Sequence, residues 1–269
     1  MLLGVVQGLT EFLPVSSSAH LVFFQHYVRG FDQSKALLFD VTLHVGTLFS
    51  VLVYYRRDLV RMAADTLRPA SRASVEPAES GARDRRYFFL IVLAMIGTAL
   101  IAFPLHDTVE TFFNDPNRIR VIGAFLVVTG ILLAVGERIG LARVGRTRLG
   151  TMDALVVGFT QGLAVFPGIS RSGATISAAL LRGVDSAAAV RFSFLLSIPA
   201  ILGAVVVEGA KDVAAIHTVD PVAYVMGALS AFLMGMAAIK IIVESARRGR
   251  LIYFAIYCWV LGGLVVAFA

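Results

Sequence analysis

Charge is what this chain has least of. Only 16% of its 269 residues are charged, 58% are hydrophobic, and the mean hydropathy is +0.81. A soluble domain carries about 25% charged residues and about 45–50% apolar ones. The surplus apolar surface has to face lipid, so an ordinary soluble enzyme is excluded. Cysteine is nearly absent too. Cys258 is the sole example and lies in an apolar stretch, which rules out an intrachain disulfide. No Cys/His cluster has zinc-site spacing. There is no P-loop and no aspartate-rich diphosphate motif, so a soluble-type phosphate fold is excluded. The first residues lack the basic region and small-residue cleavage site of a secretory leader.

The 24 Lys and Arg against 18 Asp and Glu give a net charge of +6. No face pairs these cations with stacking aromatics, so nucleic acid is not a partner. Instead, 17 of the 24 fall in residues 56–86, 137–150, 182–191 and 244–250, between apolar segments. Bias of this kind orients membrane spans and marks those loops as cytoplasmic, with both termini outside.

Six segments are long and apolar enough to span: 36–55, 87–105, 119–136, 190–207, 221–243 and 251–269. Two more, 4–28 and 154–181, are broken near the middle by Pro14 and Pro167. Lipid does not tolerate unpaired backbone, so each break must be buried in protein or line a wet cavity. Both are expected to form two short helices meeting at a loop. Residues 56–86, with eight arginines, Pro69, Pro77 and Gly81, are expected to form a mobile cytoplasmic loop.

The chain repeats itself. Gln7-Gly8-Leu9 recurs as Gln161-Gly162-Leu163, Pro14 answers Pro167, and Phe39 answers Phe192. Each half holds one broken segment and three crossings. Three is odd, so the halves lie in opposite orientations. The expected fold is an all-α, polytopic membrane protein with six transmembrane helices, two broken re-entrant helix pairs and an inverted-topology repeat. Residues 1–269 form one membrane domain, with repeat 1 over about 1–136 and repeat 2 over about 151–269. The site belongs where the two breaks meet.

In the first break, Gln7 and Glu11 share a helix face. Ser16, Ser17 and Ser18 follow Pro14, where a second helix starts, and His20 lies just inside it. Serine is a favoured N-cap, and free N–H groups at a helix start attract anions. An ionisable residue within a membrane segment is costly and marks function by default. In the second break, Ser170, Arg171, Ser172 and Thr175 follow Pro167 and Gly168. Arg171 stands at a helix N-terminus, where a cation is unfavourable unless an anion is bound; its planar fork suits phosphate oxygens. Gly168 and Gly173 let backbone approach a ligand closely. The plainer alternative is an Arg171–Glu11 ion pair that ties the halves together, with serines that only cap. Glu11 and His20 offer proton chemistry or metal binding, and the hydroxyls offer donors and a nucleophile. A divalent cation bridging Glu11 and phosphate oxygens would relieve their repulsion. Asp40 and His44 share a face of the 36–55 span; they support the pocket or merely bond between helices, and are left outside the site.

At these segments the sequence resembles the undecaprenyl-diphosphatase family of bacteria. The resemblance rests on GVVQGLTEFLPVSSSAH at 4–20, PGISRSGATIS at 167–177 and FSFLLSIP at 192–199, and extends over the whole chain. It implies hydrolysis of undecaprenyl diphosphate to undecaprenyl phosphate and phosphate, recycling the lipid carrier for peptidoglycan and conferring bacitracin resistance. It implies a multi-pass protein of the bacterial inner membrane with its site facing the periplasm, dependent on a divalent metal, Mg2+ or Ca2+. It places the family's acidic, histidine and arginine positions on Glu11, His20 and Arg171 and its serines on Ser17, Ser170 and Ser172. Taken with the reading of the residues themselves, the expected catalytic groups are Glu11, His20, Ser17 and Arg171, the expected diphosphate contacts are Gln7, Ser16, Ser18, Gly168, Ser170, Ser172, Gly173 and Thr175, and Glu11 is the expected metal ligand. The partners are then the polyprenyl lipid and the bilayer, and a homodimer is compatible with both. Gln7 departs from members with glutamate there, which removes one carboxylate. The first motif lies close to Met1, so a turn or two of chain is expected upstream. A lipid-carrier transporter is the rival reading, since inverted repeats with broken helices suit transport too.

Overall fold

The computed structural model describes residues 1–27, 36–67, 78–113, 118–142, 145–211 and 221–269. Among these the chain is helical, with one isolated bridge between Arg146 and Val184. The helices are α1 (Leu2–Phe12), α2 (Ser17–Tyr27), α3 (Ala36–Tyr54), α4 (Arg56–Leu67), α5 (Ala78–Ala102), α6 (His106–Phe113), α7 (Arg118–Leu141), α8 (Thr151–Leu163), α9 (Arg171–Leu181), α10 (Ser186–Lys211), α11 (Pro221–Arg247) and α12 (Ile252–Phe268).

Both expected breaks are present, as α1/α2 and α8/α9. Each of the six expected spans coincides with a helix. Four of them, in α5, α7, α10 and α11, are long and apolar enough to cross a membrane on their own, and α12 is a shorter apolar helix. The expected 56–86 loop is corrected in part. Residues 56–67 form α4, bent 74° from α3 across Tyr55, and α5 begins at Ala78. About three turns, with three arginines on an amphipathic pattern and Asp58 in the first turn, carry the helix onward. Pro69, Pro77 and the rest of 68–77 lie outside the described residues, as do most of the 25–35 and 208–220 connections.

The interior is apolar, built on Phe12, Phe192, Phe194, Tyr55 and surrounding Leu and Ile side chains. The outside is apolar as well. Phe49, Ile131, Val135, Leu233, Ile256, Val260 and Leu264 are exposed in mid-helix. An apolar exterior of this extent suits lipid and not water.

With no solvent-driven burial between helices in lipid, close packing has to supply the adhesion. Glycines supply the closeness. A Cβ on Gly4 or Gly8 would lie 2.3 or 2.5 Å from the carbonyl oxygens of Gly227 and Ala231, so α1 lies directly on the backbone of α11. At the matching positions of the other half, a Cβ on Gly158 would lie 2.2 Å from Ala94 O and one on Gly162 2.6 Å from Ile101 Cβ, which seats α8 on α5. Gly262 meets Gly123 O in the same way where α12 crosses α7.

Helix ends are tied by carboxylates. Glu137 on α7 accepts the N–H groups of Leu251 (2.5 Å) and Ile252 (2.7 Å) at the start of α12. Asp153 accepts from Gly150 N (2.7 Å), from both terminal nitrogens of Arg146 and from Arg182 Nε, joining the α7–α8 and α9–α10 connections. Burial pushes the Asp153 pKa up, but the Arg146 fork, the Gly150 amide and Arg182 outweigh it and hold it at about 2 instead of 3.8.

Gly8→Val is expected to destabilise the protein by about 1–3 kcal/mol or more through overpacking. Gly263→Ala, where a side chain meets open space, should leave the thermal midpoint in detergent unchanged or slightly raised. Asp153→Asn should lower that midpoint at neutral pH. Since the native carboxyl is depressed, its contribution is full above about 3.8 and lost as pH falls through about 2. The gap between wild type and variant should therefore close across that window.

Candidate active site

Each break is made by the same local logic. Pro14 forces the residue before it out of the helical region, and Leu13 is extended at φ −65°, ψ 140°, ending α1. The chain then turns through Ser16 in the left-handed region, at φ 66°, and restarts as α2. In the other half Pro167 is followed by Gly168 at φ 100°, and Ser170 caps α9 by accepting from Gly173 N at 3.1 Å. Ser16 stands in the matching place, within 3.4 Å of Ala19 N. The paired hydroxyls match also: Ser16–Ser18 and Ser170–Ser172 are each 3.2 Å apart.

The breaks touch. Gly168 N–H donates to Ser16 Oγ at 3.1 Å, and Ser172 Oγ lies 3.4 Å from Leu13 O. Thr129 of α7 locks the second break by donating to Gly168 O (2.9 Å) and accepting from Ser170 N (3.0 Å). The backbone groups freed by the breaks thus find partners inside the protein.

Glu11 is at the centre, 7% exposed. One carboxylate oxygen accepts from Arg171 across the two halves. The other accepts from Ser17 Oγ (2.7 Å) and Gln7 Nε2 (3.0 Å). Ser17 and Arg171 occupy the same position, the first residue of the second helix, in the two halves, so both helix N-termini converge on one carboxylate. The other terminal nitrogen of Arg171, Nη1, is buried without a hydrogen-bond partner, and so is Gln7 Oε1.

A cavity of about 310 Å3 opens beside this pair, near the lower end of the roughly 300–1,000 Å3 range of small-ligand pockets. Glu11, Ser16, Ser17, Ser18, Ser170 and Arg171 line it, faced by Ala200, Gly203 and Ala204 of α10. Six expected residues lie outside the lining. Gln7 reaches it through Glu11. His20 is turned away: Nδ1 donates to Ser16 O (2.8 Å), and Nε2 accepts from Tyr257 on α12 (2.7 Å), whose ring stacks on it. Thr175, on α9, is fully buried against α10, bonded to Ser193 at 2.6 Å. Ser172 is buried with it. Gly168 and Gly173 do permit close approach, but to α7, not to the cavity: their Cβ atoms would meet Ile122 O at 2.4 Å and Thr129 Cγ2 at 3.2 Å.

The structure adds residues that sequence reasoning left out. His44 lines the cavity with Nε2 3.9 Å from Glu11, and its Nδ1 donates to Asp40 O at 2.8 Å, which leaves Nε2 as the free nitrogen. Its signal in the sequence was an ionisable side chain in an apolar span. Gln161, the repeat partner of Gln7, also lines the cavity and donates to Thr98 Oγ1 at 3.0 Å.

Oxygen donors here suit a hard cation: the Glu11 carboxylate, the unpartnered Gln7 Oε1 and serine hydroxyls. Among the described residues no group of three His, Cys, Asp or Glu is gathered. That set fits a divalent metal shared with a ligand's phosphate oxygens, not a cage made of protein alone.

Residues 1–264 match the family model described as bacitracin resistance protein BacA. The chain is 44% identical to an undecaprenyl-diphosphatase of Syntrophotalea carbinolica, over 99% of this chain and 97% of that protein. It is 43% identical to one of Desulfosudis oleivorans, over 99% and 96%, and 39% identical to one of Alkaliphilus metalliredigens, over 100% and 97%.

Proposed function

Because the chain belongs to the bacitracin resistance protein BacA family, we infer that it is an undecaprenyl-diphosphatase. It cleaves the anhydride of undecaprenyl diphosphate with water, giving undecaprenyl phosphate and inorganic phosphate, and so recycles the lipid carrier for cell-envelope synthesis. The observation that carries this reading at the level of chemistry is Arg171. A guanidinium with one buried, unpartnered terminal nitrogen sits where two helix N-termini meet, and a phosphate group supplies the acceptors that are missing.

The resting pair works as a latch. Glu11 occupies one nitrogen of Arg171. An arriving diphosphate competes for that guanidinium and takes the free nitrogen with it. Glu11 then loses its counter-ion while keeping Ser17 within 2.7 Å, and becomes the base that accepts a proton from Ser17 or from a water held there. The attacking oxygen forms a bond to the terminal phosphorus as the bridging P–O bond breaks and the lipid monophosphate leaves; attack by water gives inorganic phosphate directly, whereas attack by Ser17 gives a phosphoserine that a water then hydrolyses, returning the hydroxyl and releasing inorganic phosphate. His44 Nε2, 3.9 Å from Glu11, is placed to take the proton onward. Ser16 and Ser170 cap the helices and hold the breaks together. His20 pins the Ser16 carbonyl and is held by Tyr257, which is a positioning role. Glu11 and Gln7 Oε1 would hold the divalent metal, Mg2+ or Ca2+. When bound, it would neutralise phosphate charge and polarise phosphorus.

The small cavity suits the diphosphate head, and the polyprenyl chain lies along the apolar exterior. An inverted repeat is supported by exchanged partners: α1 packs on α11 and α8 on α5, while α3 meets α10 and α7 meets α12. On the positive-inside rule the arginine-rich ends of α3, α5, α10 and α11 are cytoplasmic. The site lies farther along the same helices, with six spans in the inner membrane and a mouth toward the periplasm.

Phosphate release from undecaprenyl diphosphate by the purified protein in detergent tests the reading, since transport has no direction there; no release would leave the transporter. Arg171→Ala should cost about 10²–10³-fold in kcat. Arg171→Lys should recover little, because a point charge does not replace the fork; near-normal turnover in it would overturn the role given to geometry. Glu11→Gln should lose turnover and metal response together, and a variant that kept its metal dependence would place the metal elsewhere.

A further inference from the structure

A second cavity, of about 780 Å3, lies away from the catalytic groups. It is walled by the far ends of the helices that wall the site. On α10, Arg191 lines it and Ala200 lines the site, nine residues or about 13 Å apart. Rings fill the space between. Phe12, next to Glu11, packs edge-on against Phe194 at 5.4 Å, and Phe194 against Tyr55 at 6.3 Å, with Tyr55 in the wall of the second cavity.

Four arginines converge on this cavity from different elements: Arg86 on α5, Arg148 before α8, Arg191 on α10 and Arg247 on α11. Its two carboxylates are already engaged. Asp58 accepts from Arg191 at 2.8 Å, and Asp185 caps α10 by accepting from the N–H groups of Ala187 and Ala188. Among the described residues Arg86, Arg148 and Arg247 form no ion pair, so the lining holds uncompensated positive charge. Arg191 is fixed in place with its guanidinium 5.0 Å over the Tyr87 ring, and its Nε is buried with no hydrogen-bond partner. The remaining wall is apolar, with Leu90, Leu149 and Val243. Converging guanidinium groups recognise phosphate, and apolar walls beside them suit the first carbons of a lipid tail.

We propose that this cavity is a second phosphate-binding site, taking the headgroup of a phosphate-bearing lipid. Four elements contribute arginines to the lining of one concavity, and one donor there, Arg191 Nε, is already desolvated. The leaflet from which the lipid enters, opposite the catalytic mouth, rests on the topology proposed above. The binding itself does not.

The test uses the full chain carrying Arg171→Ala, which silences the catalytic phosphate site, titrated calorimetrically in detergent. The probes are farnesyl monophosphate, farnesol and inorganic phosphate. Farnesyl monophosphate should bind, farnesol should not, and inorganic phosphate should bind more weakly while displacing the lipid. Adding Arg148→Gln with Arg247→Gln should weaken farnesyl monophosphate about tenfold or more. Both side chains are exposed, so the thermal midpoint should hold; should the pair fall in stability, Arg148→Gln alone takes its place with a smaller loss. Equal affinity for farnesol, or no loss in the arginine variants, overturns the site. Inorganic phosphate binding as tightly as the lipid phosphate overturns the lipid assignment. With Arg171 intact, Arg148→Gln/Arg247→Gln should still hydrolyse farnesyl diphosphate in detergent. Absence of hydrolysis in wild type would sink the phosphatase reading and leave the binding result standing.

Discussion

Two helices are interrupted inside an apolar body, and the ion pair between Glu11 and Arg171 spans both interruptions. A lone carboxylate or guanidinium buried this deeply is costly, and removing one partner strands the other. Each is therefore held by what surrounds it. Ser17 and Gln7 take the second oxygen of Glu11, and Thr129 secures the turn that presents Arg171. Neither half can form this centre alone, because the carboxylate comes from one half and the guanidinium from the other. Their meeting makes one site from two similar segments.

That meeting needs close helix packing. Gly4 and Gly8 on α1, and Gly158 and Gly162 on α8, sit where any side chain would collide with α11 or α5. Bringing backbones to contact distance replaces the driving force that water would supply in a soluble protein. It also sets the depth at which each broken helix stops, and so the height at which the two N-termini face one another.

The cavity beside the ion pair and the larger one lined by arginines share walls from α3, α5 and α10. The small residues of α10, Ala200, Gly203 and Ala204, leave room for the first. The rings of Phe12, Phe194 and Tyr55 close the space before the second. One set of helices thus holds a buried cation at one depth and several arginines at another, with aromatic rings between them.

The sequence by itself determined much of this. Pro14 and Pro167 stop helices whatever surrounds them, since proline lacks an N–H and restricts its neighbour. Ser16 and Ser170 restart them as local caps, and Glu11 and Arg171 stand out because ionised groups are rare in apolar segments. All of these are local or compositional facts, readable without a partner. The tertiary structure alone decided the rest. His20 and His44 look alike in sequence, yet His20 is turned toward Tyr257 and His44 toward Glu11, a choice made by which helix each one packs against. Gly168 and Gly173 have the spacing of a ligand-approach loop, but their neighbour is α7. The 56–67 stretch is helical after all, bent away from α3 at Tyr55. Which face of a helix meets which neighbour depends on contacts far apart in the chain, and no spacing within one segment records them.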